Sequence, residues 1–209
     1  MSDILRPYQE RARDELRAVL PHTSPYTLYG MMRYFVGFSD EKFIEADIYG
    51  GKHFRPALCL LVADAYGDIE SAIEVANSIE LFHNATLIHD DIADNDTHRR
   101  GRPTIWKQWG VPHAINTGDT QLLLVFRALS KAVSSAPERG LRAQTFLTEQ
   151  FISVAEGQYL DFVLADLPLS SAEVTPDSYF SMHQNKNSNT HWRSGKGWWH
   201  YGRSLYRRM

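Results

Sequence analysis

Apolar residues recur along most of this chain at intervals of three and four, and strict alternation is rare. Leu5, Tyr8, Ala12, Leu16 and Val19 predict an amphipathic helix over residues 3–20, interrupted by Pro21 and Pro25. A second apolar helix is expected over 26–37. Gly50-Gly51 marks a turn, and Pro56 suits the first turn of a helix that runs on through Ala57–Ala65 to Gly67-Asp68. The longest periodic segment is 71–94, with Ile73, Ala76, Ile79, Phe82 and Leu87 along one side. The polar stretch 95–104 breaks it at Gly101 and Pro103. Further helices are expected at 112–133, 138–165 and 176–186. No alternating run and no Asn-Gly hairpin stands out, so the fold class is all-α, a bundle of helices packed ridge into groove.

Size and composition narrow the setting. At 209 residues with 43% hydrophobic residues, the chain suffices for one domain with a buried core. A net charge of −3 argues against a general nucleic-acid binder. The single cysteine, Cys59, allows no intrachain disulfide, and a reducing cytoplasmic location is expected. No run of about 18 apolar residues is present, so no transmembrane segment is expected, and the charged N-terminus lacks the apolar core of a signal peptide. Charge is unevenly placed. Residues 187–209 hold Arg193, Lys196, Arg203, Arg207 and Arg208 with no acid, which leaves residues 1–186 at −8.

The sharpest chemical signal is His89-Asp90-Asp91-Ile92-Ala93-Asp94. Asp90 and Asp94 are four apart and share a helix face, where their charges repel unless a cation lies between them. Magnesium suits this: it is a hard ion often held by one or two carboxylates plus substrate phosphates. The plain alternative is a solvated acidic helix end. Arg99-Arg100-Gly101-Arg102-Pro103-Thr104 follows, and paired guanidinium groups suit phosphate oxygens. Here the alternative is a basic turn that merely balances the acids. Lys52 and Arg55 lie three apart near a helix start, where backbone N–H groups also favour anions, although solubilising charge would look the same. His83 precedes Asp90 by two helical turns and faces the same way; alone it would read as a structural histidine. Together these residues describe a site for two diphosphates. One is held through metal on Asp90, Asp91 and Asp94, the other directly by Lys52, Arg55 and His83.

Three segments then carry a resemblance: Gly50-Gly51-Lys52-x-x-Arg55-Pro56, Leu87-Ile88-His89-Asp90-Asp91-x-x-Asp94, and Arg99-Arg100-Gly101-x-Pro103-Thr104. In order and spacing they are similar to the signatures of the trans-isoprenyl diphosphate synthases, the polyprenyl synthetase family of farnesyl, geranylgeranyl and longer-chain synthases. Glu156-Gly157-Gln158-x-x-Asp161 and Gln184-Asn185-Lys186 fit the family's later helices more weakly. Residues 1–186 resemble the family's first two-thirds. The resemblance implies a magnesium-dependent prenyltransferase with the all-helical isoprenoid synthase fold, acting as a homodimer. An allylic diphosphate would bind through magnesium on Asp90, Asp91 and Asp94, aided by Arg99 and Lys186. Isopentenyl diphosphate would bind to Lys52, Arg55, His83 and Arg100, with Gln158 and Asp161 lining the same cavity. Ala85 and Thr86, the fifth and fourth residues before Asp90, would set product length; both are small, which favours geranylgeranyl length or longer.

The resemblance fails near residue 187. The family continues past its lysine with threonine, small-apolar helices and a second aspartate-rich motif, whereas this chain has Asn187 and no acid after Asp177. The expectation is a partial synthase domain over 1–186, incomplete at its C-terminus, and a divergent basic tail over 187–209 produced by a frameshift or truncation. A genuine tail is the alternative, its Arg and Trp suited to nucleic acid or an anionic membrane. Three functions follow: a prenyltransferase impaired by the missing motif, a non-catalytic diphosphate-binding or regulatory subunit, and a terpene-cyclase-like lyase. Lys52, Arg55 and Arg100 weigh against the last, because a cyclase needs no isopentenyl diphosphate site.

Overall fold

The longest apolar stretch of the chain becomes its central helix. In the computed structural model, which describes residues 2–22, 27–48, 51–168 and 170–185, helix α4 (Ile73–Ala93) packs against α1 (Ser2–Val19), α3 (Phe54–Ala65), α6 (Val111–Ser135) and α7 (Pro137–Asp166). Its residues Val75 to Phe82 are buried without a break, as expected of a helix enclosed on all sides. The outer helices keep the amphipathic pattern. Leu5, Ala12 and Leu16 of α1 are buried, and α1 is tied to α3 by the Tyr8 hydroxyl donating to Asp64 at 2.5 Å. Helix α2 (Thr27–Phe35) is buried from Gly30 onward and packs against α6. Pro112, Pro137 and Pro176 each lie in the first turn of α6, α7 and α8 (Pro176–His183), where a missing N–H is harmless. Thr175 closes a capping box with Ser178 at the start of α8.

The all-helical expectation holds, and the helix bounds fall within a few residues of those predicted. Two elements were not foreseen. A short helix, α5 (Ile105–Trp109), precedes α6. The polar break also contains a two-stranded antiparallel ribbon, β1 (His98–Arg99) and β2 (Arg102–Pro103). Its turn residues Arg100 and Gly101 both have positive φ, 53° and 77°, the type I′ geometry that matches strand twist. Arginine in place of the usual asparagine hides this turn from sequence.

The ribbon is pinned to α2. Arg102 lies 3.7 Å from the Tyr34 ring centroid and donates to the carbonyls of Tyr34 (2.8 Å) and Ser39 (2.9 Å). The Tyr34 hydroxyl returns a bond to the Pro103 carbonyl at 2.8 Å. These contacts fix where Arg99 and Arg100 sit. No helix among the described residues is long and apolar enough to cross a membrane. The basic tail and its boundary at 186/187 lie outside the described residues, as does Lys186.

Candidate functional site

Both halves of the candidate site are built on α4. Asp90 and Asp94 lie one turn apart at its C-terminal end, with Asp94 exposed at the cap. From the facing helix α7, Gln158 donates its amide to Asp90 Oδ1. Asp161 lies one turn further along α7 and is half-buried. Asp91, the next residue after Asp90, is turned about 100° around the helix and points inward. It is 1% exposed and accepts from Arg99 Nε at 2.5 Å. Burial pushes its carboxyl up to about 6, against the pull of Arg99. Arg99 also approaches Asp96 at 3.8 Å. The motif therefore splits by orientation: Asp90 and Asp94 face one way, while Asp91 anchors the guanidinium of β1.

No group of three or more His, Cys, Asp or Glu residues converges as a metal cage among the described residues. The pair Asp90 and Asp94 still fits magnesium, which keeps several waters and takes only one or two carboxylates from protein.

The cationic half lies about 10 Å toward the start of α4, the rise over the seven residues between His83 and Asp90. His83 Nε2 and Arg55 Nη1 are 3.2 Å apart, which joins α4 to the first turn of α3. Burial lowers the pKa of Arg55, and the charge of Glu80 acts the other way. Lys52 is exposed, and its carbonyl accepts from Gln9 of α1 at 2.7 Å. Gly51, at φ +136°, lets the chain pass close to the ribbon: a Cβ there would lie 3.0 Å from Arg100 Nη2. Arg100 also sits over the Phe35 ring, 5.8 Å from its centroid. Lys52, Arg55, His83 and Arg100, far apart in sequence, thus gather where α3, α4 and the ribbon meet.

Ala85 is fully buried in α4, and the Thr86 hydroxyl donates to the His83 carbonyl at 2.8 Å. One turn before Ala85, Phe82 stacks on Phe151 of α7, with centroids 3.9 Å apart. Sequence reasoning passed over a polar group beneath the cations. His53, the cap residue of α3, is buried and contacts Glu80 Oε1 through Nδ1 at 3.0 Å. Asn84 donates to the same oxygen at 3.2 Å. Burial pushes the Glu80 carboxyl up, but His53, His83 and Asn84 outweigh it and hold it below its usual range. The available signal was a lone acid between Ile79 and Leu81 in an apolar helix.

Comparison with known proteins gives a consistent family. The chain is 38% identical over 180 residues to a geranylgeranyl diphosphate synthase of Methanosarcina mazei, covering 86% of this chain and 50% of that protein. It is 35% identical over 187 residues to a (2E,6E)-farnesyl diphosphate synthase of Mycobacterium bovis, covering 89% and 48%. Its fold superposes on the geranylgeranyl pyrophosphate synthetase of Geoglobus acetivorans with a TM-score of 0.78 at 31% identity, covering 93% of this chain and 59% of that one. The chain spans about half the length of the curated relatives it matches. Residues 41–195 match the polyprenyl synthetase family, a segment that takes in α3 to α8, the ribbon and every described residue of the two half-sites. On that match, and on a helical bundle shared with solved synthases, the chain belongs to the polyprenyl synthetase family.

Proposed function

We propose that this chain carries the substrate cradle of a prenyltransferase that joins an allylic diphosphate to isopentenyl diphosphate. The observation that carries this reading is the pairing of two half-sites along one helix. Asp90, bonded by Gln158, and Asp94 stand at one end, and His83 meets Arg55 at the middle of the helix, beside Lys52 and Arg100. Such a pair of sites brings two diphosphates together, one held through metal and one by direct ion pairs.

Asp90 and Asp94 are the residues that would hold magnesium, with Asp91 acting on the same motif through Arg99. Magnesium, when bound, supplies positive charge at the departing diphosphate. Arg99 and Lys186 add positive charge on the allylic side. Lys52, Arg55, His83 and Arg100 orient isopentenyl diphosphate so that its double bond faces the allylic carbon. The allylic C–O bond breaks, the double bond attacks to form the new C–C bond, and the released diphosphate takes the proton lost from the product. Gln158 holds Asp90 in place, and Asp161 lines the cavity beside it. Small side chains at Ala85 and Thr86 favour a product of geranylgeranyl length or longer, with the Phe82–Phe151 stack as the next obstacle down the helix.

The 209 residues hold one aspartate-rich motif, so the chain by itself turns over slowly or not at all. Loss of a single electrostatic donor already costs about 10²–10³ in rate. The protein assembles as a homodimer. The same single motif supports a second reading, a subunit that binds diphosphate without catalysis. Extension of labelled isopentenyl diphosphate on geranyl and farnesyl primers, with and without magnesium, tests both. Magnesium-dependent extension supports the transferase. Magnesium-dependent binding without extension supports the binding subunit, and the absence of both extension and binding would sink the proposal.

A further inference from the structure

Glu80, His53 and Asn84 form a buried polar group that the reaction outlined above does not use. A buried carboxylate is costly, and a leucine would serve a helix flanked by Ile79 and Leu81 at less expense. His53 bears two more costs. Its backbone is left-handed, at φ 44° and ψ 38°, a conformation that disfavours any residue with a Cβ. Its Nε2 is buried without a hydrogen-bond partner among the described residues. Two of these costs fall on His53 itself and the third on its partner Glu80, and His53 is the residue next to Lys52 and two before Arg55, the cations of the isopentenyl half-site. From the geometry we infer that Glu80 is a positioning residue for that half-site. It clamps His53, and so fixes the start of α3, in register with His83 one turn along α4.

This inference rests on the reading of Lys52, Arg55, His83 and Arg100 as a diphosphate cradle. Through Oε1 alone Glu80 receives both His53 and Asn84. A glutamine amide oxygen can accept the same two bonds, so charge and clamp are separable. Removing a negative charge near the anion would by itself tighten binding; losing the clamp would weaken it.

Calorimetric titration of the full chain with isopentenyl diphosphate, without magnesium, decides between these, with a thermal melt for each variant. Arg55→Ala is expected to lose about tenfold or more in affinity, the scale of a lost charge-assisted hydrogen bond. Glu80→Ala is expected to lose about as much, and Glu80→Gln to recover most of it. His53→Gly fits the left-handed backbone without strain but drops the clamp, and covers the case in which Glu80→Ala does not fold. It should weaken binding like Glu80→Ala. Unchanged or tighter binding in Glu80→Ala or His53→Gly would overturn the positioning role while Arg55→Ala still weakened binding. Unchanged affinity in Arg55→Ala would overturn the cradle itself, and this role with it.

Discussion

At the scale of single residues, the aspartate-rich motif separates into two kinds of carboxylate. Asp90 and Asp94 lie toward α7 and solvent, and Asp90→Asn should abolish magnesium-dependent diphosphate binding while leaving the melting temperature unchanged. Asp91 is different, since burial raises its carboxyl to about 6 in the metal-free protein. The folded state then holds a proton that the unfolded chain has lost near pH 4. Between about pH 4 and 6 the native state binds more protons, so the stability due to Asp91 falls as pH rises through that window and is flat above it. Urea unfolding of the wild type and Asp91→Asn across pH 4–7 should show their difference changing in that sense; a difference independent of pH would contradict it. Arg99→Ala leaves Asp91 buried without its cation and should cost about 3 kcal/mol at pH 7 by the same measurement. The sequence made the three aspartates legible as a cluster. It gave no sign of Arg99 as the specific partner of Asp91, because that bond depends on the turn between β1 and β2.

At the scale of elements, close approaches between helices make ordered predictions. A Cβ at Gly140 would lie 2.4 Å from the Ala132 carbonyl oxygen, where α7 folds back on α6 and the backbone has no room to yield. At Gly118 it would meet the His89 imidazole at 2.3 Å, a side chain that can swing away at the loss of its 3.3 Å contact with Asp119. Gly140→Ala should therefore destabilise by about 1–3 kcal/mol and by more than Gly118→Ala, read from denaturant midpoints. The ribbon gives the opposite sign. Arg100→Gly removes a left-handed non-glycine residue and should stabilise by up to about 1 kcal/mol, while weakening isopentenyl diphosphate binding. Helix positions were legible because the apolar period survives along α1, α6 and α7. The ribbon was not, since Arg100-Gly101 lacks the Asn-Gly signature and its strands are two residues long. The His53–Glu80–Asn84 group was hidden for another reason: nothing in the periodicity of α3 or α4 tells that two buried polar residues face each other.

At the scale of the whole molecule, α6, α7 and α8 leave large apolar side chains in solvent. Leu123 and Phe126 are 64% and 53% exposed, Ile152 and Tyr159 49% and 67%, and Phe180 67%. Surfaces of this kind are covered in most folded proteins. Self-association is expected in sedimentation analysis; a sharply melting monomer would contradict it. One helix is proposed to carry a metal-dependent diphosphate site beside a metal-independent one, and the decisive experiment is calorimetric titration with farnesyl diphosphate in the presence and absence of magnesium. Binding should require magnesium and disappear in Asp90→Asn. Binding of equal strength without the metal, or no binding in either condition, would contradict it.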